Sequence, residues 1–136
     1  MNIDKRMKKI LFVCVENSAR SQMAEGFAKH YGKGKVEVYS AGTKIAKEID
    51  PVVVRVMAEK GIDISKQKPK PFSAKMAEQA DLIITMGCNL EEMCPAPLLK
   101  KAIDWGIEGP KGKPIEKVRE IRDKIEIKVK ELLENL

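Results

Sequence analysis

A chain of 136 residues that is 43% hydrophobic and 34% charged can bury one core and lacks the composition of a disordered chain. Its net charge is +6, but lysines and glutamates are interleaved and aromatic residues reach only 4%, so the basic balance reads as a solvated surface suited to anionic substrates, without nucleic acid as a partner. No apolar run approaches membrane-spanning length, no secretory leader is recognisable, and three cysteines argue against a structural disulfide framework; a cytoplasmic protein with reactive thiols and no membrane partner is expected.

One domain is expected over residues 1–136, with 1–6 as a flexible extension. Residues 8–13 read as a buried first strand. Residues 18–31 carry a helical pattern that Gly32 and Gly34 end. Residues 35–40 alternate apolar and polar as a second strand would, and Ala41-Gly42-Thr43 is read as a turn. Asp50 is a good N-cap with Pro51 at the first helical position; that helix runs to about residue 60, where Gly61 stops it. Residues 62–71 are an irregular polar loop, and Ser73 caps a short helix through Gln79. Residues 81–86 are a strongly apolar third strand. Residues 87–114 are rich in proline and glycine, hold both remaining cysteines and read mostly as loop, with a short fourth strand in 100–105. Residues 115–136 form the last helix, with Ile115, Val118, Ile121, Ile125, Val129, Leu132 and Leu136 at three- and four-residue steps.

Strands separated by helices imply an α/β three-layer sandwich. Its centre would be a four-stranded parallel sheet with helices on both faces and the ligand site at the carboxyl ends of the strands. Cys14 ends the first strand and Cys88 lies just past the third, so both belong to that edge.

The stretch Cys14-Val15-Glu16-Asn17-Ser18-Ala19-Arg20-Ser21 carries the chemistry. A strand that turns tightly into a helix presents a ring of backbone N–H groups, here from Val15 to Ser21, which binds a tetrahedral oxyanion. The same groups would stabilise a thiolate at Cys14, and the Arg20 guanidinium can fork onto two anion oxygens. A free cysteine at a strand end is more often a small buried hydrophobe. Such a cysteine has no need of Asn17, Ser18, Arg20 and Ser21 at these spacings. Helix capping and turn stabilisation are the plainer roles for Asn17 and Ser21.

Cys88 and Cys94 form a second thiol cluster. Zinc would need four ligands, and beyond the three cysteines the chain offers only His30, placed mid-helix; neither a metal nor a cofactor is expected. Burial under the loop is the plain alternative. The sharper reading is a relay in which Cys88 reaches Cys14 and Cys94 follows, by successive thiolate attack.

With these residues in view, the chain from residue 8 onward resembles the thioredoxin-coupled type of arsenate reductase, a branch of the low-molecular-weight tyrosine phosphatase superfamily, and its fold is accordingly expected to be phosphotyrosine phosphatase I-like. The resemblance rests on Cys14-x5-Arg20-Ser21, on Ser40-Ala41-Gly42, on Thr85-Met86 leading into Cys88 and Cys94, and on Asp104-Trp105-Gly106 followed by Pro110. It implies that Cys14 attacks arsenate, that Cys88 attacks the Cys14 sulfur, and that Cys94 then closes a Cys88–Cys94 disulfide, which thioredoxin or a small thiol re-reduces. It further implies that Ser21 bonds the Cys14 sulfur and that Asn17 holds the loop. A monomer is expected.

Two departures stand out. Five residues separate Cys88 from Cys94 where many members have six, and the Met-Gly-Cys arrangement looks like variants of which some use a small thiol. Gly109 stands where the superfamily usually carries an aspartate general acid before proline, so Glu108 is the candidate substitute. That loss favours arsenate reduction over the alternative, hydrolysis of aryl phosphates through a Cys14 phosphoenzyme. A third reading is an anion- or redox-sensing binding module.

Overall fold

The computed structural model describes residues 7–87 and 99–136. Four strands, β1 (Lys8–Cys14), β2 (Val36–Gly42), β3 (Leu82–Thr85) and β4 (Ala102–Asp104), pair in the order β2-β1-β3-β4. All pairings are parallel. The helices are α1 (Arg20–Tyr31), α2 (Pro51–Ala58), α3 (Ala74–Gln79) and α4 (Ile115–Glu134).

Alternation along β1 divides the core. Ile10, Phe12 and Cys14 face one layer with Met23 and Phe27 of α1, Val53 and Met57 of α2, and Val118, Ile121 and Ile125 of α4. Leu11 and Val13 face the other, with Phe72, Ala77 and Ala80 around α3 and with Ile83 of β3. The expected three layers are present; among the described residues α1, α2 and α4 cover one face and α3 the other. Both faces of β1 are covered, so its residues from Ile10 to Cys14 are all buried, as a parallel sheet requires.

Register brings the chemistry to one edge. Cys14 lies opposite Gly42, Val13 opposite Thr85, and Thr85 opposite Asp104. The chain leaves β1 toward β2 on one side while β3 pairs on the other, so the carboxyl end of β1 is a switch point, where such sheets open a crevice.

Several boundaries differ from the sequence reading. The expected turn at Ala41-Gly42 is strand, because the Gly42 N–H donates to the Lys70 carbonyl and the Phe72 N–H to the Gly42 carbonyl, a bridge made by a segment with no strand pattern of its own. A Cβ at Gly42 would stand 2.7 Å from the Val15 carbonyl oxygen and 2.9 Å from Asn17 Cβ, so glycine is needed there for close approach. The first helix begins at Arg20, not at residue 18, because Ser18 and Ala19 belong to the loop before it. The last helix stops at Glu134. The Asp50 cap on Val52 N and the Ser73 cap on Met76 N form as expected.

Candidate active site

β1 delivers Cys14 to the sheet edge, and residues 15–19 wrap into α1. Five successive carbonyls of this loop point outward. Cys14 O accepts from Thr43 N at 3.2 Å, Val15 O from Lys44 N at 2.8 Å, Glu16 O from Ala46 N at 3.0 Å and Ser18 O from Asp50 N at 3.0 Å. Asn17 O accepts from Gln22 Nε2 at 3.0 Å. In a trans peptide the N–H opposes the preceding carbonyl, so the N–H groups of residues 15 to 19 turn into the loop. The Asn17 N–H reaches Cys14 Sγ at 3.3 Å. Those of Glu16, Ser18 and Ala19 meet no acceptor among the described residues. With the start of α1 behind them, they make a ring of donors of the kind that suits an anion.

Asn17 has φ of 52°, a left-handed conformation unfavourable for a residue with a Cβ. Its side chain holds it there. Oδ1 accepts from Lys70 N at 2.8 Å and from Gln22 Nε2 at 3.0 Å, and Nδ2 donates to Ser21 Oγ at 2.7 Å. Lys70 N can only donate, so the amide orientation is fixed. Ser21 Oγ therefore accepts from Asn17 and has its own hydrogen free for Cys14 Sγ, 2.8 Å away. The sulfur accepts from the Asn17 N–H and is hydrogen-bonded to the Ser21 hydroxyl, an arrangement that can hold a thiolate. Asn17, Ser21 and Gln22 have no solvent exposure, and Gln22 Oε1 is itself fixed by Gln67 Nε2 at 2.7 Å. Nearby, the buried Glu25 carboxylate is held by Ser40 Oγ, Lys29 and Lys70.

Arg20 closes the other side. Nη1 donates to the Met86 carbonyl at 2.5 Å and the Ile107 carbonyl at 2.8 Å. Nε and Nη2 have no partner among the described residues, which leaves the edge that grips two oxygens at once. A cleft of about 800 Å³ opens over Cys14. Residues 44–46 and 48–51 make one wall and Gly109, Pro110 and Lys111 the other. Cys14 is 2% exposed, so an attacking sulfur would work at the floor of a partly desolvated pocket.

Glu108 is not part of this arrangement. It faces the start of α4, where Lys117 of the helix at 3.0 Å and Lys113 just before it at 3.2 Å bind its carboxylate. Those hydrogen bonds, from Lys117 first and Lys113 second, hold its pKa below the ordinary carboxylate range, the opposite of what a proton donor at neutral pH needs. The expectation of Glu108 as general acid is corrected on geometry. The residue that reaches the site is Gly109, whose absent Cβ would lie 3.7 Å from Arg20 Cζ. Cys88 and Cys94 lie outside the described residues. His30 is exposed on α1 and stacks edge-on against Tyr31.

The sequence reading missed the wall at residues 44–51, where only Asp50 carried a local signal, and the roles of Gln22, Gln67 and Lys70, whose partners are distant in the chain. It also gave Asp104 no role. Desolvation pushes the Asp104 carboxyl up, but the N–H groups of Gly87 and Gly106, the Thr85 hydroxyl and the Arg20 charge together hold it below its ordinary range.

The family model for low molecular weight phosphotyrosine protein phosphatase matches residues 9–136. The chain belongs to this family. Within the family it is 41% identical, over 96% of both chains, to the glutaredoxin arsenate reductase of Synechocystis sp.. A solved arsenate reductase in its phosphate binding state superposes with a TM-score of 0.83 at 38% identity, covering 95% of this chain and 98% of that one. The thioredoxin-dependent arsenate reductase of Corynebacterium glutamicum superposes with a TM-score of 0.80 at 37% identity, covering 95% of this chain and 61% of that one. The family's fold and the fold described above agree in the parallel sheet and its flanking helices. Among the described residues no helix is long and apolar enough to cross a membrane.

Proposed function

We propose that this chain is an arsenate reductase that reduces arsenate to arsenite through Cys14. The observation that carries the reading is the loop of inward N–H groups around a cysteine sulfur hydrogen-bonded to the Asn17 N–H and the Ser21 hydroxyl, with the free edge of Arg20 beside it. Arsenate would lie on the N–H groups of residues 15 to 19 and on Arg20 Nε and Nη2. The Cys14 thiolate attacks arsenic and a water leaves, giving a sulfur–arsenic bond. The Cys88 thiolate then attacks Cys14 Sγ. A sulfur–sulfur bond forms, the sulfur–arsenic bond breaks, and its electron pair stays on arsenic, which departs as arsenite. Cys94 attacks Cys88, releases Cys14 as thiolate and leaves a Cys88–Cys94 disulfide.

Two electrons must then come from outside. The relatives named for glutaredoxin and for thioredoxin support a small dithiol protein or a thiol-linked system as the donor. Gly109 at the place of the superfamily's acid supports reduction over ester hydrolysis. An ester needs its departing alkoxide or phenolate protonated, whereas arsenate only loses water. We further propose that the chain works as a single-domain monomer.

Cys88→Ser is the test. Multiple-turnover arsenite formation with a thioredoxin or glutaredoxin system should fall to background while phosphate still binds. Arsenite formation at the rate of the unaltered chain would remove the relay.

A further inference from the structure

We propose that Asp104 is a positioning residue of the oxyanion site, acting on Arg20 through the peptide that joins Met86 to Gly87. This inference rests on the reading of Arg20 as the anion's guanidinium. That one peptide is held at both ends. Its carbonyl, on Met86, accepts from Arg20 Nη1. Its N–H, on Gly87, donates to Asp104 Oδ1 at 2.9 Å. The same carboxylate oxygen accepts from Thr85 Oγ1 at 3.1 Å and from Gly106 N at 3.2 Å.

Asp104 therefore ties the end of β3 to the turn after β4, while Arg20 ties the same two segments through Met86 and Ile107. Carboxylate and guanidinium sit on opposite ends of a polarised amide. A carboxylate accepting the N–H makes the carbonyl a better acceptor, and hydrogen bonds in such a chain strengthen one another. The consequence is directional. With Nη1 anchored, the guanidinium plane is fixed and its Nε and Nη2 edge is the part left for the anion. Gly87 has φ of 86°, and a Cβ there would come within 3.4 Å of Arg20 Nη1, so the glycine both permits the turn and makes room for the contact.

The test is a double-mutant cycle read by calorimetric binding of inorganic phosphate to the reduced full-length chain. Asp104→Ala should raise the Kd for phosphate about tenfold, comparable to losing one charge-assisted hydrogen bond. Asp104→Asn, which keeps an oxygen acceptor, should show a smaller rise. In an Arg20→Ala background both substitutions should have no further effect, since their route to the anion is gone. Should Asp104→Ala not fold, as thermal unfolding would report, Asp104→Asn and its Arg20→Ala double variant decide alone. Losses that persist undiminished without Arg20, or no loss in either variant, would overturn the proposal while leaving Arg20 in the site. Unchanged phosphate binding in Arg20→Ala itself would overturn the oxyanion reading and the proposal together.

Discussion

Two segments meet over the same cleft and are built in opposite ways. The loop at residues 14–19 is held by its own sequence and by partners on every side. Each of its outward carbonyls is engaged, Asn17 is locked in a left-handed conformation, and the Ser21 hydroxyl is hydrogen-bonded to the sulfur. The segment after β4 is held from below, by Trp105 against Phe12 with ring centroids 5.8 Å apart, and by Arg20 on the Ile107 carbonyl. Its one carboxylate after Asp104, Glu108, is turned away onto lysines before and on α4. On the proposed reading, binding an oxyanion and protonating a leaving group are separate functions, the first carried by the loop at residues 14–19 and the usual place of the second held by Gly109.

Substitutions in the loop should break that contrast most severely. Gly42→Ala puts a Cβ into Val15 O and Asn17, neither of which can move without opening the cradle. It should destabilise the fold by about 2 kcal/mol, as overpacking does, and lower arsenate turnover about a hundredfold, as misplacement on the scale of an ångström does. Thermal unfolding and arsenite release measure the two effects. A variant with the turnover of the unaltered chain would show that the cradle tolerates displacement.

The second segment should be open to gain. Gly109→Asp restores a carboxyl beside Arg20 and the cleft, and should raise phenyl phosphate hydrolysis by about a hundredfold, the lower range for a general acid. Glu108→Gln should leave both hydrolysis and arsenate reduction within about a factor of two, because surface ion pairs contribute little. A large loss on Glu108→Gln, read in the same assays, would restore Glu108 to the chemistry and erase the distinction drawn between the two segments.

A smaller effect belongs to neither segment. Glu59 of the turn after α2 has its pKa lowered to about 2 from an ordinary 4.5, chiefly by the hydrogen bond from Arg119 and, against some desolvation, by Arg122. The folded-state value is depressed, so ionised Glu59 favours the fold above about pH 4.5, and that contribution falls away as pH drops toward 2. Arg119→Met should flatten the acid limb of the stability curve over that range and leave it unchanged near neutrality. Denaturant midpoints measured from pH 2 to 7 follow this, and an unchanged acid limb would assign acid lability elsewhere.

Much of the site was legible because it is local. Cys14, Asn17, Arg20 and Ser21 are neighbours in sequence, and a strand running into a helix fixes where their backbone N–H groups face. The alternation along residues 8–14, the Asp50-Pro51 start and the Ser73 cap likewise placed their elements. What escaped depends on distant partners. Gly42 looks like a turn residue until Lys70 and Phe72 pair with it. Asp104 looks like the end of a short strand until Gly87 folds back to it. Glu108 looks available as an acid because nothing in its neighbourhood in sequence shows that Lys117, one helical turn into α4, will turn toward it. Periodicity reports which face of an element is buried and is silent on which loop crosses its end.

On the proposed reading, an oxyanion seated over Cys14 and beside Arg20 covers the sulfur. Alkylation of Cys14 by iodoacetamide, followed by peptide mass spectrometry in a Cys88→Ser variant so that no relay intervenes, tests it directly. Arsenate should slow labelling of Cys14 saturably, phosphate should do the same, and Arg20→Ala should weaken that protection about a hundredfold, the scale of losing a bidentate charged contact in a desolvated site. Labelling of Cys14 at one rate with and without arsenate would contradict the account.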